Sequence, residues 1–142
     1  MKRRISYNYF INMTLTKKNK DKKSILIIDD DKFLLDMYSI KFRELGFDVE
    51  VAFGAVEALE KIRGGILPDA VLLDVIMPEI DGFDFLRTIK KENLLKDSKI
   101  IILSNVSQKE NVEKGLNLGA HEYIVKAYFT PSEIVKKIDK IL

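Results

Sequence analysis

Ser24-Ile-Leu-Ile-Ile-Asp-Asp-Asp31 is the stretch of sequence that decides the fold. Its unbroken apolar run is typical of a strand buried on both faces, and three carboxylates follow directly where that strand ends. Ala70-Val-Leu-Leu73 repeats the pattern and is followed by Asp74. Because the carboxyl ends of parallel strands share one edge of a sheet, we expect Asp29, Asp30 and Asp74 to lie close together.

Carboxylates held side by side repel one another, so a chain that keeps these three together needs a cation between them. Their oxygen atoms favour a hard divalent ion, Mg²⁺ or Mn²⁺. Once such an ion is bound, one carboxylate can attack a phosphoryl group whose oxygens the ion neutralises. The acidic edge therefore predicts a metal-assisted reaction with a phosphoryl group.

Apolar runs of strand length alternate along the chain with stretches of helical period. The predicted strands are Ile25 to Ile28, Phe47 to Phe53, Ala70 to Leu73, Ile100 to Leu103 and Tyr123 to Val125. The helical stretches are marked by Leu34, Met37, Tyr38 and Leu45, by Val56, Leu59 and Ile62, by Phe83, Leu86 and Ile89, by residues 107 to 118, and by Ile134, Ile138 and Ile141. Five β units alternating with five α units predict a five-stranded parallel α/β sheet, flavodoxin-like, with strand order 2-1-3-4-5 and helices on both faces.

The composition is that of one globular domain. With 142 residues, 46% of them hydrophobic and 32% charged, the chain is long enough to bury a sizeable core. The absence of cysteine excludes disulfides and thiolate metal sites, and it fits a reducing compartment such as the cytoplasm. No stretch approaches the roughly 20 apolar residues that span a bilayer, and no cleavage site follows the basic start, so neither membrane insertion nor secretion is expected.

Charge is distributed unevenly along the chain. Residues 1 to 23 hold eight Lys or Arg and one Asp, a charge of +7, whereas residues 24 to 142 hold sixteen basic and twenty-one acidic residues, a charge of −5. We expect a disordered, solvated leader over residues 1 to 22 and a folded domain over residues 23 to 142. A basic tail can also contact nucleic acid or anionic lipid, and Met13 offers a second start that would leave out residues 1 to 12.

Four motifs occur in a recognisable order. They are Ile-Leu-Ile-Ile-Asp-Asp at 25 to 30, Leu-Leu-Asp-Val-Ile-Met-Pro-Glu-Ile-Asp-Gly at 72 to 82, Ser104 after a strand, and Tyr-Ile-Val-Lys at 123 to 126. Together they resemble the receiver domain of response regulators in two-component signalling, of the kind found in single-domain chemotaxis regulators. The resemblance implies that Asp74 accepts a phosphoryl group from a phosphohistidine on a sensor histidine kinase or phosphotransfer protein. Such a chain promotes its own phosphorylation, but it is better described as a signalling module than as an enzyme.

The resemblance also implies roles for the residues around Asp74. Asp30 resembles the direct ligand of Mg²⁺, and Asp29 the residue that helps to hold the ion through water. Asp74 itself and the backbone carbonyl of Ile76 would complete the set of oxygen ligands from the protein. Lys126 would place a point charge on the phosphoryl oxygens.

Ser104 and Tyr123 resemble the two switch residues of such domains. The Ser104 hydroxyl would donate to a phosphoryl oxygen once Asp74 is modified, and Tyr123 would then rotate inward; the plain alternative is that Tyr123 is a half-buried core residue. The family usually has proline after the lysine, where this chain has Ala127. A cis bond before alanine costs about 2.5 to 4 kcal/mol, so the Lys126–Ala127 bond is either cis and strained, or trans with a different loop path.

Four other positions have simpler expectations. Asp31 stands where a helix N-cap carboxylate is favoured, so capping is its expected role. His121, the only histidine, has no paired ligand and is expected to be an ordinary surface or turn residue. Ile76 and Val106 flank the path that the resemblance gives to an attacking water; both are apolar, which predicts slow loss of phosphate from Asp74.

Two other classes of protein fit part of the pattern. Asp29-x-Asp31 after an apolar strand mimics the motif of haloacid-dehalogenase-like phosphatases, with Asp29 as nucleophile, although Phe33 stands where that family has Thr or Val. A nucleotide-binding module of the flavodoxin type would need a first loop rich in Gly, Ser or Thr, and the acidic loop of this chain would repel phosphate.

The resemblance also implies how the chain would pass its signal to another protein. The length of the chain leaves no room for a second output domain, so we expect a stand-alone receiver. Its phosphorylation would change binding of a downstream protein at the surface of the fourth helix, fifth strand and fifth helix. Direct DNA binding is not expected, and a homodimer through the last helices would be in keeping with the family.

Overall fold

The strands form one parallel sheet. In the computed structural model, which describes residues 22–142, the strands are β1 (Ser24–Ile28), β2 (Asp48–Ala52), β3 (Ala70–Leu73), β4 (Lys99–Ser104) and β5 (Glu122–Val125). Their order in the sheet is β2-β1-β3-β4-β5. This confirms the predicted flavodoxin-like α/β fold. The predicted leader lies outside the described residues, apart from its last residue.

A helix follows each strand, as the predicted alternation requires. The helices are α1 (Lys32–Glu44), α2 (Ala55–Arg63), α3 (Gly82–Lys91), α4 (Lys109–Asn117) and α5 (Pro131–Ile141), and a 3₁₀ turn (Lys126–Tyr128) leads from β5 towards α5. Parallel neighbours need such crossovers because each new strand must start at the same edge as the last. The structure shortens the predicted helix over residues 107 to 118 at both ends.

The register of the sheet brings the acidic segments together. Ile28 of β1 pairs with Leu73 of β3 and with Ala52 of β2, so β1 and β3 end at the same level. The next residues extend the pattern, because the Asp74 amide donates to the carbonyl of Ile28 at 3.1 Å. Asp29 and Asp74 therefore leave neighbouring strands side by side.

Apolar side chains pack in two clusters, one on each face of the sheet, because successive residues of a strand point to opposite faces. The α2–α3 core is formed by strand residues Leu26, Ile28, Val71, Leu73, Ile100 and Ile102 with Ala58, Leu59, Ile62, Phe83, Phe85, Leu86 and Ile89. The α1–α5 core is formed by Ile25, Ile27, Leu72, Ile101 and Ile124 with Leu35, Tyr38, Phe42, Ile134 and Ile138. The residues that mark the third and fifth helices in the sequence are thus buried, with Ile141 only partly buried.

Two of the apolar residues that mark helical stretches in the sequence are exposed. Leu45 is 50% exposed because it is the C-cap of α1 and lies beyond the last helical turn. Val56 is 42% exposed, and the buried stripe of α2 runs instead through the small residues Ala55 and Ala58. In α1 the buried positions are shifted in the same way, since Leu35, Tyr38, Ser39 and Phe42 face the sheet.

Side-chain caps fix where three helices begin. Asp31 accepts a hydrogen bond from the Leu34 amide at 3.2 Å, which confirms its capping role in α1. Asp81 caps α3 in the same way. Thr130 and Glu133 form a capping box at the start of α5, each side chain accepting from the other residue's backbone amide.

Candidate functional site

Three carboxylates meet at the carboxyl edge of the sheet. Asp29, Asp30 and Asp74 each offer an oxygen atom, and these atoms all lie within 4.8 Å of one another. Asp29 is buried, Asp74 is half-buried and Asp30 is exposed. The structure thus brings together the three acidic residues predicted at the strand ends. The side of this cluster at Asp30 is open to solvent.

Backbone amides and one lysine hold two of these carboxylates in place. Asp29 Oδ1 accepts from the Asp31 amide at 2.9 Å, and Asp74 Oδ1 accepts from the Val75 amide at 2.8 Å. The Nζ of Lys126 lies 2.8 Å from Asp29 Oδ2 and 3.6 Å from Asp74 Oδ2. Lys126 therefore reaches into the cluster, as predicted, but it contacts Asp29 more closely than Asp74.

The backbone around Lys126 resolves the two alternatives for the loop. No peptide bond between residues 22 and 142 is cis, so the Lys126–Ala127 bond is trans. Residues Lys126–Tyr128 form the 3₁₀ turn, with the Phe129 amide donating to the Lys126 carbonyl at 3.3 Å. The loop follows a path that suits alanine and still directs the ammonium group at the carboxylates.

The protein environment opposes the charge of Asp74. Burial raises the pKa of the Asp74 carboxyl, and the neighbouring charge of Asp29 raises it further. The Lys126 ammonium, the Val75 amide and the Ser104 hydroxyl lower this pKa, but burial is the largest single cause and the net direction is upward. The charge of Lys126 thus affects the pKa of Asp74 more than the charge of Asp29 does, but it does not offset the effect of burial.

The donor set fits a hard divalent cation. The side-chain atoms of Asp29, Asp30 and Asp74 that could coordinate an ion are all carboxylate oxygens, which is the ligand type that Mg²⁺ and Mn²⁺ prefer. Exposed Asp30 leaves one side of the cluster open to water, and Mg²⁺ usually retains several waters. Ile76, two residues beyond Asp74, turns its side chain outward and is 68% exposed.

Ser104 and Tyr123 are joined through the loop after β4. Ser104 is 1% exposed, and its Oγ accepts from the Val106 amide at 3.2 Å. The Tyr123 hydroxyl donates to the Val106 carbonyl at 2.5 Å. Burial raises the pKa of Tyr123, the Ser104 hydroxyl lowers it, and the charge of Asp74 raises it. The half-buried Tyr123 ring is therefore linked to the acidic cluster through Ser104 and Val106.

Two residues near the cluster were not found from the sequence. Gly82 begins α3 directly against Asp74: a Cβ there would overlap the Asp74 carbonyl oxygen and lie 2.9 Å from Val75 Cα. Gly82 closes the second sequence motif, but the motif gave no sign of this contact. Burial raises the pKa of Tyr38 to about 12, and the charge of nearby Asp29 adds to the effect. Its helical spacing indicated a core residue and gave no sign of this proximity.

His121 is a turn residue, as expected. Its Nδ1 accepts a hydrogen bond from the Ile100 amide at 3.0 Å, and its own amide donates to the Ile100 carbonyl at 2.7 Å. Ile100 belongs to the first half of β4, whereas the carboxylates lie beyond the last residues of β1 and β3. His121 therefore fixes the entry to β5 and lies away from the acidic cluster.

Comparisons with known proteins agree with this arrangement. Residues 25–139 match the family model of the response regulator receiver domain. The chain is 35% identical over 126 residues to the probable transcriptional regulator ycf27 of Cyanidium caldarium, covering 89% of this chain and 49% of the relative. It is 34% identical over 117 residues to the DNA-binding response regulator MtrA of Mycobacterium tuberculosis H37Rv, covering 82% and 49%. The chemotaxis protein CheY4 of Vibrio cholerae superposes with a TM-score of 0.77 at 28% identity, covering 85% of this chain and 99% of CheY4.

The chain spans about half the length of the curated relatives it matches. Since one of them is named as DNA-binding, the expectation that this chain does not bind DNA gains no support from its relatives. Within residues 22–142, no helix has the length and apolar character needed to cross a bilayer. The family model covers most of the chain, and the fold agrees with that of the chemotaxis protein CheY4. The chain belongs to the response regulator receiver domain family.

Proposed function

We propose that the chain accepts a phosphoryl group on Asp74 from a phosphohistidine of a sensor histidine kinase or phosphotransfer protein. The observation that carries this proposal is the cluster of Asp29, Asp30 and Asp74 with the Lys126 ammonium reaching into it. Asp30, Asp74 and the carbonyl of Ile76 are the proposed direct ligands of Mg²⁺, and Asp29 is proposed to help hold the ion through water. When bound, this ion neutralises charge on the phosphoryl oxygens.

Asp74 has the geometry of a nucleophile. Its Oδ1 is held by the Val75 amide, which leaves Oδ2 free to form the new O–P bond. The P–N bond of the donor breaks as this bond forms, the electron pair stays with the imidazole nitrogen, and the leaving imidazole takes up a proton from solvent. Lys126 lies 3.6 Å from Oδ2 and would move towards the added phosphoryl oxygens.

Ser104 and Tyr123 carry the signal away from Asp74 in this proposal. The Ser104 hydroxyl donates to an oxygen of the new phosphoryl group, which pulls on the Val106 amide bound to Ser104 Oγ. Tyr123 responds because its hydroxyl is bound to the Val106 carbonyl. Phosphorylation thereby shifts an existing equilibrium between two surfaces formed by α4, β5 and α5, and binding of a downstream protein changes.

The setting of the reaction is part of the proposal. A histidine kinase or phosphotransfer protein is the upstream partner, the cytoplasm is the compartment, and residues 23–142 act as the receiver unit. The output is binding of a downstream protein. Two copies of the chain would pair through α5, and sedimentation velocity with and without phosphorylation measures this pairing.

Phosphorylation by a small-molecule donor tests the proposal. The full chain is incubated with acetyl phosphate and Mg²⁺, and intact-protein mass spectrometry is expected to show one added phosphoryl group that disappears in Asp74→Asn. Modification that persists in Asp74→Asn contradicts the assignment. Modification at Asp29 instead would support the phosphatase-like alternative, although Asp29 is buried and both of its oxygens are engaged, by the Asp31 amide and Lys126.

A matched control keeps the fold constant. Asp31→Asn preserves an N-cap of equal quality at α1 and leaves the cluster intact, so it is expected to be phosphorylated like the wild type. Asp30→Asn removes one proposed metal ligand and is expected to slow the reaction strongly at a fixed Mg²⁺ concentration.

A further inference from the structure

We propose that the chain has a second ligand site, a cleft that binds a small organic anion with an apolar body, such as an aromatic carboxylate. This cleft, the α3–β4 cleft, has a volume of about 240 Å³ and is lined by residues that include Leu86, Ile89, Ile100, Leu118 and His121. It lies beside the end of α3 and the start of β4, whereas the carboxylates lie beyond the ends of β1 and β3. The inference therefore goes beyond the proposed function and does not rest on it.

The floor of the cleft is apolar. Leu86, Ile89 and Ile100 are buried members of the α2–α3 core. Leu94 and Leu118 pack against the same core but are only half-buried, and both line the cleft. A water molecule takes about 30 Å³ in the liquid, so the space equals that of roughly eight waters. An aromatic ring with one small substituent matches this size and would cover the apolar floor.

The rim of the cleft is basic. Lys90 and Lys96 line it and are exposed, and neither ammonium group forms an ion pair with another residue between 22 and 142. The lining, which falls wholly within these residues, includes no Asp or Glu. Residues 24 to 142 have a net charge of −5, so a basic rim runs against the overall composition. An anionic group on the ligand would meet two cations that no neighbouring carboxylate neutralises.

His121 adds a hydrogen-bond donor to this rim. Its Nδ1 accepts from the Ile100 amide at 3.0 Å, so this nitrogen carries no proton. In the neutral ring the proton is then on Nε2, which can donate to an anion. The bond that fixes the entry to β5 therefore also sets the tautomer that a bound carboxylate requires.

The backbone between α3 and β4 is strained next to the cleft. Asn93 and Leu95 are both left-handed, with φ of 61° and 55°. Asn93 ends α3 in a common way, since the Leu94 amide donates to the Ile89 carbonyl at 2.9 Å. Leucine rarely adopts this conformation, because its Cβ approaches the following carbonyl oxygen. Leu95 nevertheless does so, and its buried side chain lines the cleft. Such strain tends to occur at ligand sites.

The experiment is a titration of the ¹⁵N-labelled full chain with sodium benzoate, followed by ¹H–¹⁵N NMR at constant ionic strength. We expect the amide signals of Ile100, Leu118 and His121 to shift and to saturate, with a dissociation constant on the order of 1 mM. Benzyl alcohol has the ring without the charge, and acetate has the charge without the ring. Both should bind several times more weakly than benzoate.

Two variants test the basic rim. Lys90→Met with Lys96→Met removes both charges and keeps an apolar side chain at each position. It should weaken benzoate binding by about four- to twentyfold, as expected for the loss of two exposed ion pairs. Lys91→Met is the matched control, because Lys91 follows Lys90 in the last turn of α3 but does not line the cleft. Its affinity for benzoate should equal that of the wild type.

Four results would overturn the proposal. The first is the absence of a saturable shift at the three amides, and the second is equal binding of benzoate and benzyl alcohol. The third is benzoate binding that the double lysine variant leaves unchanged. The fourth is a set of shifts that depend on protein concentration without any acid, which would assign the cleft to a second copy of the chain. Because no phosphoryl donor or Mg²⁺ is present, none of these results bears on phosphorylation of Asp74.

Discussion

The folded protein disfavours the ionised form of Asp74. Burial raises its pKa above the ordinary 3.8, and the charge of Asp29 adds to this, while Lys126 offsets only part of it. A raised pKa means that the folded chain holds the proton more tightly than the unfolded chain does. The stabilising contribution of Asp74 is therefore complete below its unfolded pKa and is lost as the pH rises through the raised folded pKa.

Asp74→Asn is expected to stabilise the metal-free protein at pH 7, because the neutral amide avoids this loss. The expected gain in free energy of unfolding is on the order of 1 kcal/mol, a common size for a single substitution, and it should shrink as the pH falls towards 3.8. Urea unfolding at several pH values measures it. Asp139→Asn, at an exposed position of α5, is the control and should change stability little; an equal gain there would contradict the explanation.

Loss of the phosphoryl group is a second property decided by single side chains. Ile76 is exposed beside the cluster and Val106 is half-buried, and neither side chain can orient a water molecule. We expect phosphorylated wild type to survive well beyond seconds in Mg²⁺. Ile76→Asn with Val106→Glu should shorten its lifetime by about tenfold or more, since a positioned polar group contributes at least that much to proton transfer. Decay followed by mass spectrometry tests this, and a wild-type lifetime of seconds that the double variant leaves unchanged would contradict it.

At the scale of elements, the start of α3 is the most restrictive junction near the site. The Gly82 amide donates to the Val75 carbonyl at 2.8 Å, and there is no space for a Cβ against the Asp74 backbone. Gly82→Ala must therefore push α3 away from Asp74. We expect a loss of about 1 to 3 kcal/mol in the free energy of unfolding, typical of overpacking, together with slower phosphorylation by acetyl phosphate.

The control for Gly82→Ala is Gly54→Ala, where an added Cβ meets no atom within 4 Å. Gly54 is the N-cap of α2, whereas Gly82 is the first residue inside α3, so the two variants are compared by their phosphorylation and not by their stability. Equal effects on phosphorylation in both variants would show that the close approach to Asp74 is not the cause.

The capping box gives a prediction for α5. Thr130→Ala removes the acceptor of the Glu133 amide and should lower the free energy of unfolding by about 0.5 to 2 kcal/mol. Thr88→Ala is a matched control, because the Thr88 hydroxyl only donates to the Asp84 carbonyl inside α3 and alanine favours a helix interior. Urea unfolding should rank the capping variant as clearly less stable than the control.

Elements with a long, regular pattern could be predicted from the sequence, and closely packed contacts could not. Strands β1 and β3 are continuous apolar runs, so their ends located Asp29, Asp30 and Asp74 correctly. Val56 marks α2 in the sequence but is exposed, and the buried stripe of α2 includes Ala55 and Ala58, whose small side chains give a weak apolar signal. Gly82 closes the second sequence motif, but its contact with Asp74 could not be predicted, because how closely a backbone approaches its neighbour depends on packing between segments.

At the scale of the whole molecule, Mg²⁺ should stabilise the fold. The proposed ligands come from β1 and β3 ends that are brought together only when the sheet forms, so the ion binds the folded chain and not the unfolded one. Linkage predicts a gain of about 2.7 kcal/mol when the free ion is 100 times its dissociation constant. Thermal unfolding with MgCl₂, against NaCl of equal ionic strength, measures this. Asp30→Asn should lose most of the gain and Asp31→Asn should keep it; an equal response in both would contradict the proposed ligands.

The division of the apolar interior into two cores has a practical consequence. Tyr123 packs against the α2–α3 core, whereas α5 packs on the opposite face of the sheet together with α1. Lys140 is exposed near the end of α5. A fluorescent dye attached there would be separated from the ring by a full layer of β-strands, so it would report on contacts made by α5 itself and not on the position of the ring.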